Sequence, residues 1–327
     1  MYKNVYKVLG LNHEPFINVS YFYPHADKID SESYTYAPPV HVKSQMDQGK
    51  AFKYKYVYED DKDNLDLFFS NIDDPNDTMA SIINHIISDT GEFAKSENWN
   101  DFLQEVNEHC KAGSSKNKEI HVSSWRKFYR IMKKSLSHPI FSKRIVSQKS
   151  ELRLRDKLFG IQKNDVFVID IAKLDQDTQS FVFGDVIRAV HDLKLGQVDR
   201  EESEIPSKII IFVDELNKYA SNDVPRNSPI LRQLLDITER GRSLGIILFS
   251  AEQFKSSIHD RIKGNCASHS YGRTNAIEIS KNDYRYIPTV YRNMMTRLEP
   301  GEYIIEHPIH RSLLHIKFPK PVYNQKL

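Results

Sequence analysis

Two adjacent carboxylates, Asp214 and Glu215, close the apolar run Ile209-Ile210-Ile211-Phe212-Val213. Five consecutive apolar residues, mostly β-branched, predict a strand covered on both faces, as a central parallel strand is. Ligands of open α/β sheets gather beyond the carboxyl ends of strands, so the acid pair stands where chemistry is done. Asp214 could hold Mg²⁺ through its shell, and Glu215 could orient or deprotonate a water aimed at a γ-phosphate. The alternative is that the acids only solvate the strand's exit. Downstream, Arg240 and Arg242 fall at the end of a helical pattern, where cations complement the helix dipole or where a planar guanidinium reaches phosphate oxygens. Gln253 follows the next apolar run, Ile246–Ser250. Its amide could bond both a water and a γ-phosphate oxygen, or simply belong to a polar loop.

These side chains need a scaffold, and the pattern supplies one. From about residue 151 onward strands alternate with helices, the signature of a parallel α/β layer. Asp165–Ala172 reads as a strand carrying Asp170, and Thr178–Leu195 as an amphipathic helix. After the charged loop Asp199–Ser207 comes the strand ending in Asp214-Glu215. Ser228-Pro229 is a helix start, with a cap followed by proline at the first turn. Ile230, Leu231, Leu234, Leu235 and Thr238 form that helix's core face, and Gly241 and Gly245 lie at its end. A right-handed crossover would set Ile246–Ser250 beside the first strand and bring Gln253 near Glu215. An apolar piece around Ala267–Tyr271 and late strands at Glu302–Glu306 and Leu313–Phe318 complete the series.

The first half is organised differently. Ser20–Tyr23 and Ala51–Tyr58 are short aromatic segments. The alternation of Phe52, Tyr54, Tyr56 and Tyr58 predicts a half-buried edge strand. Residues 61–149 read as helical. Asn64–Ile72, Asp77–Ser88 and Trp99–Cys110 have apolar spacing of three and four, with Asp77 and Asn98 as caps. In Val122–Ser137 one stripe carries Trp125, Phe128, Tyr129, Met132 and Leu136, opposite Arg126, Lys127, Arg130, Lys133 and Lys134. Aromatic residues so spaced are more often core than a base-stacking platform. Pro139 ends this helix, and a further short helix is expected to run to Gln148.

Composition bounds the alternatives. The 327 residues are 39% hydrophobic and 28% charged, with a net charge of +2 and no apolar run of membrane-spanning length. Cys110 and Cys266 are the two cysteines, which excludes a disulfide scaffold and fits a reducing, cytoplasmic setting. Charge is segregated along the chain: residues 57–108 hold 14 acids against Lys62 and Lys95, and residues 111–149 hold 11 basic residues against Glu119. Such blocks mark either attracting surfaces or solvated helical faces.

The strand ending in Asp214-Glu215 looks like a Walker B element. The order of motifs then resembles the C-terminal half of a HerA/FtsK-superfamily ATPase, closest to HerA. After that strand come the helix end Glu239-Arg240-Gly241-Arg242-Ser243-Leu244-Gly245, the strand Ile246–Ser250 and Gln253. Ser250-Ala251-Glu252-Gln253 stands at the family's "TQ"-type sensor, matching the glutamine and departing at the residue before it. Leu298-Glu299-Pro300-Gly301-Glu302 resembles the "L-x-x-G-E" segment, and Asp170 fits an additional strand of "hhhhD" type. The resemblance covers about residues 151–318. It implies an α/β fold, a RecA-like P-loop NTPase core with a partial, mostly parallel sheet and a helical subdomain. Its divisions would be an N-terminal part of the core at 1–60, the helical subdomain at 61–149 and the α/β half at 150–327.

The resemblance further implies a hexameric ring that translocates double-stranded DNA with ATP and Mg²⁺, in the manner of a helicase. It would work beside a nuclease or effector partner in DNA end processing or antiviral defence, without a membrane. In that scheme Asp214 positions Mg²⁺, Glu215 activates water, Gln253 senses the γ-phosphate and Arg240 or Arg242 acts as the finger across a subunit interface. The departure is the phosphate loop. No G-x-x-x-x-G-K-[ST] occurs in the 327 residues, and Gly49-Lys50-Ala51 does not substitute for it. The loop is therefore expected from outside this chain. The rival reading is a non-catalytic scaffold of the same fold that docks a nuclease or effector.

Overall fold

The computed structural model describes residues 7–8, 10, 14, 16–26, 34–111 and 120–318. Lys116, Lys118 and Glu119 of the basic block lie outside the described residues. Backbone contacts divide the chain into a larger unit, residues 18–211 with 223–248, and a smaller one, residues 1–17, 212–222 and 249–327.

The larger unit contains a four-stranded, wholly parallel sheet. Strand β1 (Val19–Pro24) lies between β2 (Ala51–Tyr54) and β4 (Val166–Ile169), and β2 also pairs with the two-residue β3 (Glu151–Leu152). The aromatic segment beginning at Ala51 is thus an interior strand rather than the expected half-buried edge, and Tyr54, Tyr56 and Tyr58 are all buried. The cause is a shell of rings around them. Tyr56 meets Phe181 edge-on with centroids 4.9 Å apart, and Tyr58 meets Trp99 the same way at 5.3 Å. Such T-shaped contacts add to the area the rings bury.

The helices at Thr78–Ser88, Trp99–His109 and Val122–Ser135 pack over this shell. Trp125, Phe128, Met132 and Leu136 are buried, as their spacing anticipates. Asn98 caps its helix through bonds from the amides of Asn100 and Asp101. Asp77 does not cap. It sits at φ 50° with no side-chain bond, and Asp74 instead accepts the amides of Met79 (2.6 Å) and Ala80 (3.4 Å). The stretch Asn64–Ile72 is a 3₁₀ helix, Lys62–Phe69. Toward Gln148 there is only a 3₁₀ turn at Ser147–Lys149. Two members of the acidic block reach basic partners outside the basic block. Asp61 accepts from Arg153 at 2.7 Å, and Asp66 pairs with Arg188 at 2.6 Å.

The helix Gln176–Lys194 begins at Asp175, whose carboxylate accepts the Thr178 amide, and it carries the fully buried Asp185. Asn64 donates to Asp185 at 3.0 Å. The helix Pro229–Leu244 starts as the sequence predicts, with Ser228 Oγ accepting the Leu231 amide. It ends at Gly245 in the left-handed region, φ 72°. A Cβ on Gly241 would lie 2.8 Å from the carbonyl oxygen of Ile246, so only glycine lets this helix approach the following strand so closely.

Strands β5 (Ile209–Asp214) and β6 (Ile246–Ala251) form a two-stranded sheet. The Ile209 amide bonds Gly245 O and the Glu215 amide bonds Ala251 O, each at 2.9 Å. The common offset makes the pair parallel, as the crossover rule predicts. The division between units passes through both strands. Coverage differs from expectation. Ile209, Val213 and Ile246 are buried, but Ile210, Phe212 and Phe249 are 53%, 78% and 51% exposed. Alternate residues of a strand face opposite ways, so one face is packed and the other is left to Phe212 and Phe249, whose rings stack at 5.0 Å.

The smaller unit also holds an antiparallel sheet of β7 (His269–Tyr271), β8 (Glu302–Glu306) and β9 (Leu314–Lys317), in that order. Its core is Tyr271, Ile279, Tyr284, Ile287, Met295, Leu298 and Ile304. Among the described residues no helix is long and apolar enough to cross a membrane.

Candidate active site

The carboxyl ends of β5 and β6 bring three acids together in the smaller unit. Asp214 ends β5 and is exposed. Glu215 follows at φ 57°, a left-handed conformation that costs a non-glycine residue about 1–2 kcal/mol. Strain of this kind persists where the surroundings over-determine the turn, commonly at functional sites. Here the Glu215 amide is fixed to β6, its carbonyl accepts the Lys218 amide at 3.0 Å, and Leu216 is buried directly after it. The turn aims the Glu215 carboxylate back toward the short helix Asn217–Ala220, where Lys218 Nζ pairs with it at 2.5 Å.

Glu252 is the third acid. Its Oε2 accepts the backbone amide of Asn217 at 3.3 Å. With its amide nitrogen turned inward, the Asn217 side chain bridges Glu252 Oε2 (3.0 Å) and Glu215 O (3.2 Å). Oε1 of Glu252 is buried without a hydrogen-bond partner among the described residues. Burial pushes this carboxyl up to about 7, against the pull of the Asn217 and Leu216 amides, and the negative charges of Asp214 and Glu215 push the same way. Tyr219, buried beside the turn, has its phenol pushed up to about 12 by burial and by Glu215. The sequence singled out Asp214 and Glu215 but passed over Glu252. The available signal was its place two residues before Phe254, immediately ahead of Gln253, at the exit of an adjacent parallel strand.

Gln253 itself is exposed and makes no hydrogen bond among the described residues. Arg240 and Arg242 belong to the larger unit, and their surroundings differ. Arg240 clasps Asp236 with two bonds of 2.6 and 2.7 Å, and Asp236 also meets His191 Nε2 at 2.6 Å. Arg242 is exposed and has no acidic partner among the described residues. Asp170, at the end of β4, is engaged within the fold. It accepts Thr35 Oγ1 and the Ala172 amide, and its carbonyl accepts the Tyr54 hydroxyl.

Asp214, Glu215 and Glu252 supply hard oxygen donors of the kind Mg²⁺ takes, but among the described residues their oxygens are not gathered within one ion's reach, as the ligand atoms of Glu92, Glu105 and His109 are. The turn offers carboxylates able to orient or accept a proton from water.

No family model matches the chain, and no curated protein matches it. Solved structures do. VirB4 of Thermoanaerobacter pseudethanolicus superposes with a TM-score of 0.55 at 10% identity, over 98% of this chain and 80% of that one. The bacterial conjugative coupling protein TrwB superposes at 0.55 and 11% identity, over 82% of this chain and 72% of that one. A partial match, TM-score 0.36 at 16% identity over 50% of the chain, is the genome packaging NTPase B204 from Sulfolobus turreted icosahedral virus 2. The chain therefore has a RecA-like α/β fold. VirB4 and TrwB are its neighbours in that fold.

Proposed function

We propose that the chain is the C-terminal part of a HerA-like ATP-driven double-stranded DNA translocase or helicase, with the phosphate loop supplied from outside these residues. The observation that carries this is the strained turn at Glu215, held between β5 and β6 with Asp214 and Glu252 alongside. The shared fold with VirB4 and a conjugative coupling protein supports it. Mg²⁺, when bound, would neutralise phosphate charge beside Asp214. Glu215 orients the attacking water once its carboxylate leaves Lys218, and Glu252 keeps the pocket's charge low while the site is empty. Gln253 contacts the γ-phosphate. Arg242 is the finger across the interface of a hexameric ring, because Arg240 is already committed to Asp236. DNA is gripped at phosphates without base readout. A nuclease or effector partner, a role in end processing or antiviral defence, and a cytoplasmic setting complete the reading.

The absence of a G-x-x-x-x-G-K-[ST] sequence favours a second reading, a non-catalytic scaffold that docks such a partner. The two separate in one experiment. Magnesium-dependent ATP hydrolysis that appears when a phosphate-loop-bearing segment is joined or added, and vanishes with Glu215→Gln, supports the motor. Hydrolysis absent in every combination leaves the scaffold.

A further inference from the structure

The smaller unit contains a cleft that the carboxylate site does not use. It is a half-open depression of about 620 Å³, within the size range of sites that hold small ligands and cofactors. It is lined by Tyr286, Ile287, Pro288 and Tyr291 and by the loop between β8 and β9, including His307, His310 and Arg311. Glu306, exposed at the end of β8, and the half-buried His269 also line it.

The polar groups of this cleft are arranged with their local needs already met on one side. Tyr291 donates its hydroxyl to Leu313 O at 3.1 Å, which fixes its ring as part of the wall. Tyr286 is 79% exposed, with the Arg285 guanidinium 4.6 Å from its ring centroid. His307 Nδ1 accepts the Ile309 amide at 3.1 Å, so Nε2 carries the donor hydrogen. Arg311 is exposed and has no acidic partner among the described residues. Behind Glu306, Lys255 donates to the Tyr271 hydroxyl (2.8 Å), which in turn donates to Glu306 Oε2 (2.7 Å). That relay leaves Glu306 Oε1 free among the described residues to accept a further N–H. Burial, with Lys255 second, depresses His269 against the opposing pull of Glu306 and the Cys266 backbone.

We infer that this cleft binds a nucleotide whose base carries an exocyclic amino group, as a free nucleotide or as a unit of a nucleic-acid strand. The planar base lies against the tyrosine wall, its amino group donates to Glu306, and its phosphate meets Arg311 with the loop imidazoles. Each contact is of a kind such ligands need. Stacking on an aromatic ring tolerates any base, a carboxylate selects amino-bearing edges, and a guanidinium grips phosphate bidentately. The site needs no divalent cation and stands apart from the magnesium-dependent carboxylate site proposed above.

The test is calorimetric titration of the full chain in EDTA with AMP, UMP, inorganic phosphate and single-stranded dA12. AMP is expected to bind saturably and more tightly than UMP or phosphate. Arg311→Ala and Tyr286→Ala should each weaken it by about tenfold, as loss of a charge-assisted phosphate contact or one base stack does. Both residues are exposed, so unchanged melting temperatures verify that the variants fold. Binding of dA12 that exceeds AMP and keeps the Arg311 dependence identifies a strand as the ligand, and AMP binding without dA12 identifies the free nucleotide. Equal binding of AMP and phosphate, insensitivity to both substitutions, or no binding at all overturns the inference. Removal of Mg²⁺ keeps this outcome separate from that of the carboxylate site, whose reading fails or stands on hydrolysis alone.

Discussion

Replacing Gly241 with alanine should destabilise the protein, although alanine is the better helix former. Within the helix Pro229–Leu244 the exchange would gain about 1 kcal/mol of propensity if nothing opposed it. The added methyl would stand 2.8 Å from the carbonyl oxygen of Ile246, and a backbone atom cannot swing aside as a side chain can. Overpacking of this kind costs roughly 1–3 kcal/mol. A clash against backbone falls in the upper part of that range, about 2–3 kcal/mol, so it wins and leaves a net loss of about 1–2 kcal/mol, or roughly 1.5–3 °C in melting temperature for 327 residues. Gly184 and Gly264 are internal controls. A Cβ on Gly184 would meet Leu67 Cδ2 at 2.7 Å and Ile230 Cγ1 at 3.0 Å, both side-chain rather than backbone atoms. A Cβ on Gly264 would meet nothing within 4 Å. Thermal unfolding followed by circular dichroism should rank Gly264→Ala at or above the parent, Gly184→Ala lower, and Gly241→Ala lowest. Gly241→Ala as stable as the parent would refute the close helix–strand approach that sets Arg240 and Arg242 in place.

Three further outcomes follow from the geometry. Glu252 titrates near 7 in the fold against an ordinary 4.5, so its burial is tolerated at low pH and opposes folding as pH rises toward and through 7. Melting temperatures across pH 5–8 should therefore fall more steeply for the parent than for Glu252→Gln, and parallel curves would contradict the assignment. Asp74→Ala should cost about 1 kcal/mol by removing the true cap of Thr78–Ser88. Asp77→Gly should be neutral or stabilising because it relieves the positive φ, and denaturant unfolding of the two variants distinguishes them. In the assembled ATPase, Arg242→Ala should lower hydrolysis by roughly 10³-fold or more, as loss of an arginine finger does. Arg240→Ala should chiefly remove an exposed ion pair with Asp236 and leave hydrolysis close to the parent's. Steady-state rates reversing this order would give the finger role to Arg240.

The sequence carried the α/β alternation, the parallel crossover from β5 to β6 and the helix starts at Asn98 and Ser228 because each is set by local chemistry. It misplaced what depends on distant chain. Asp77 has the right type and spacing for a cap, yet its backbone turns left-handed and a carboxylate three residues earlier reaches the amides. The alternation at Phe52–Tyr58 does not mark a face: the strand ends at Tyr54, Tyr58 opens a helical turn, and residues 54–58 are buried throughout, with the rings of Trp99, Phe141 and Phe181 against the tyrosines. The apolar run Ile209–Val213 encodes cover on both faces, and the described residues cover one. Glu252 escaped because a lone acid at a strand exit is common, and its significance comes from the Asn217 bridge between two strands.

The central claim is that the turn carrying Glu215 is a hydrolytic site awaiting a phosphate loop. The most direct measurement is magnesium-dependent ATP hydrolysis, with and without duplex DNA, by the chain joined to a phosphate-loop segment, for the parent and for Glu215→Gln. The account predicts DNA-stimulated turnover that falls by roughly 10²–10⁴-fold in the variant while ATP is still bound. Turnover undiminished in Glu215→Gln, or none in the parent despite bound ATP, would contradict it.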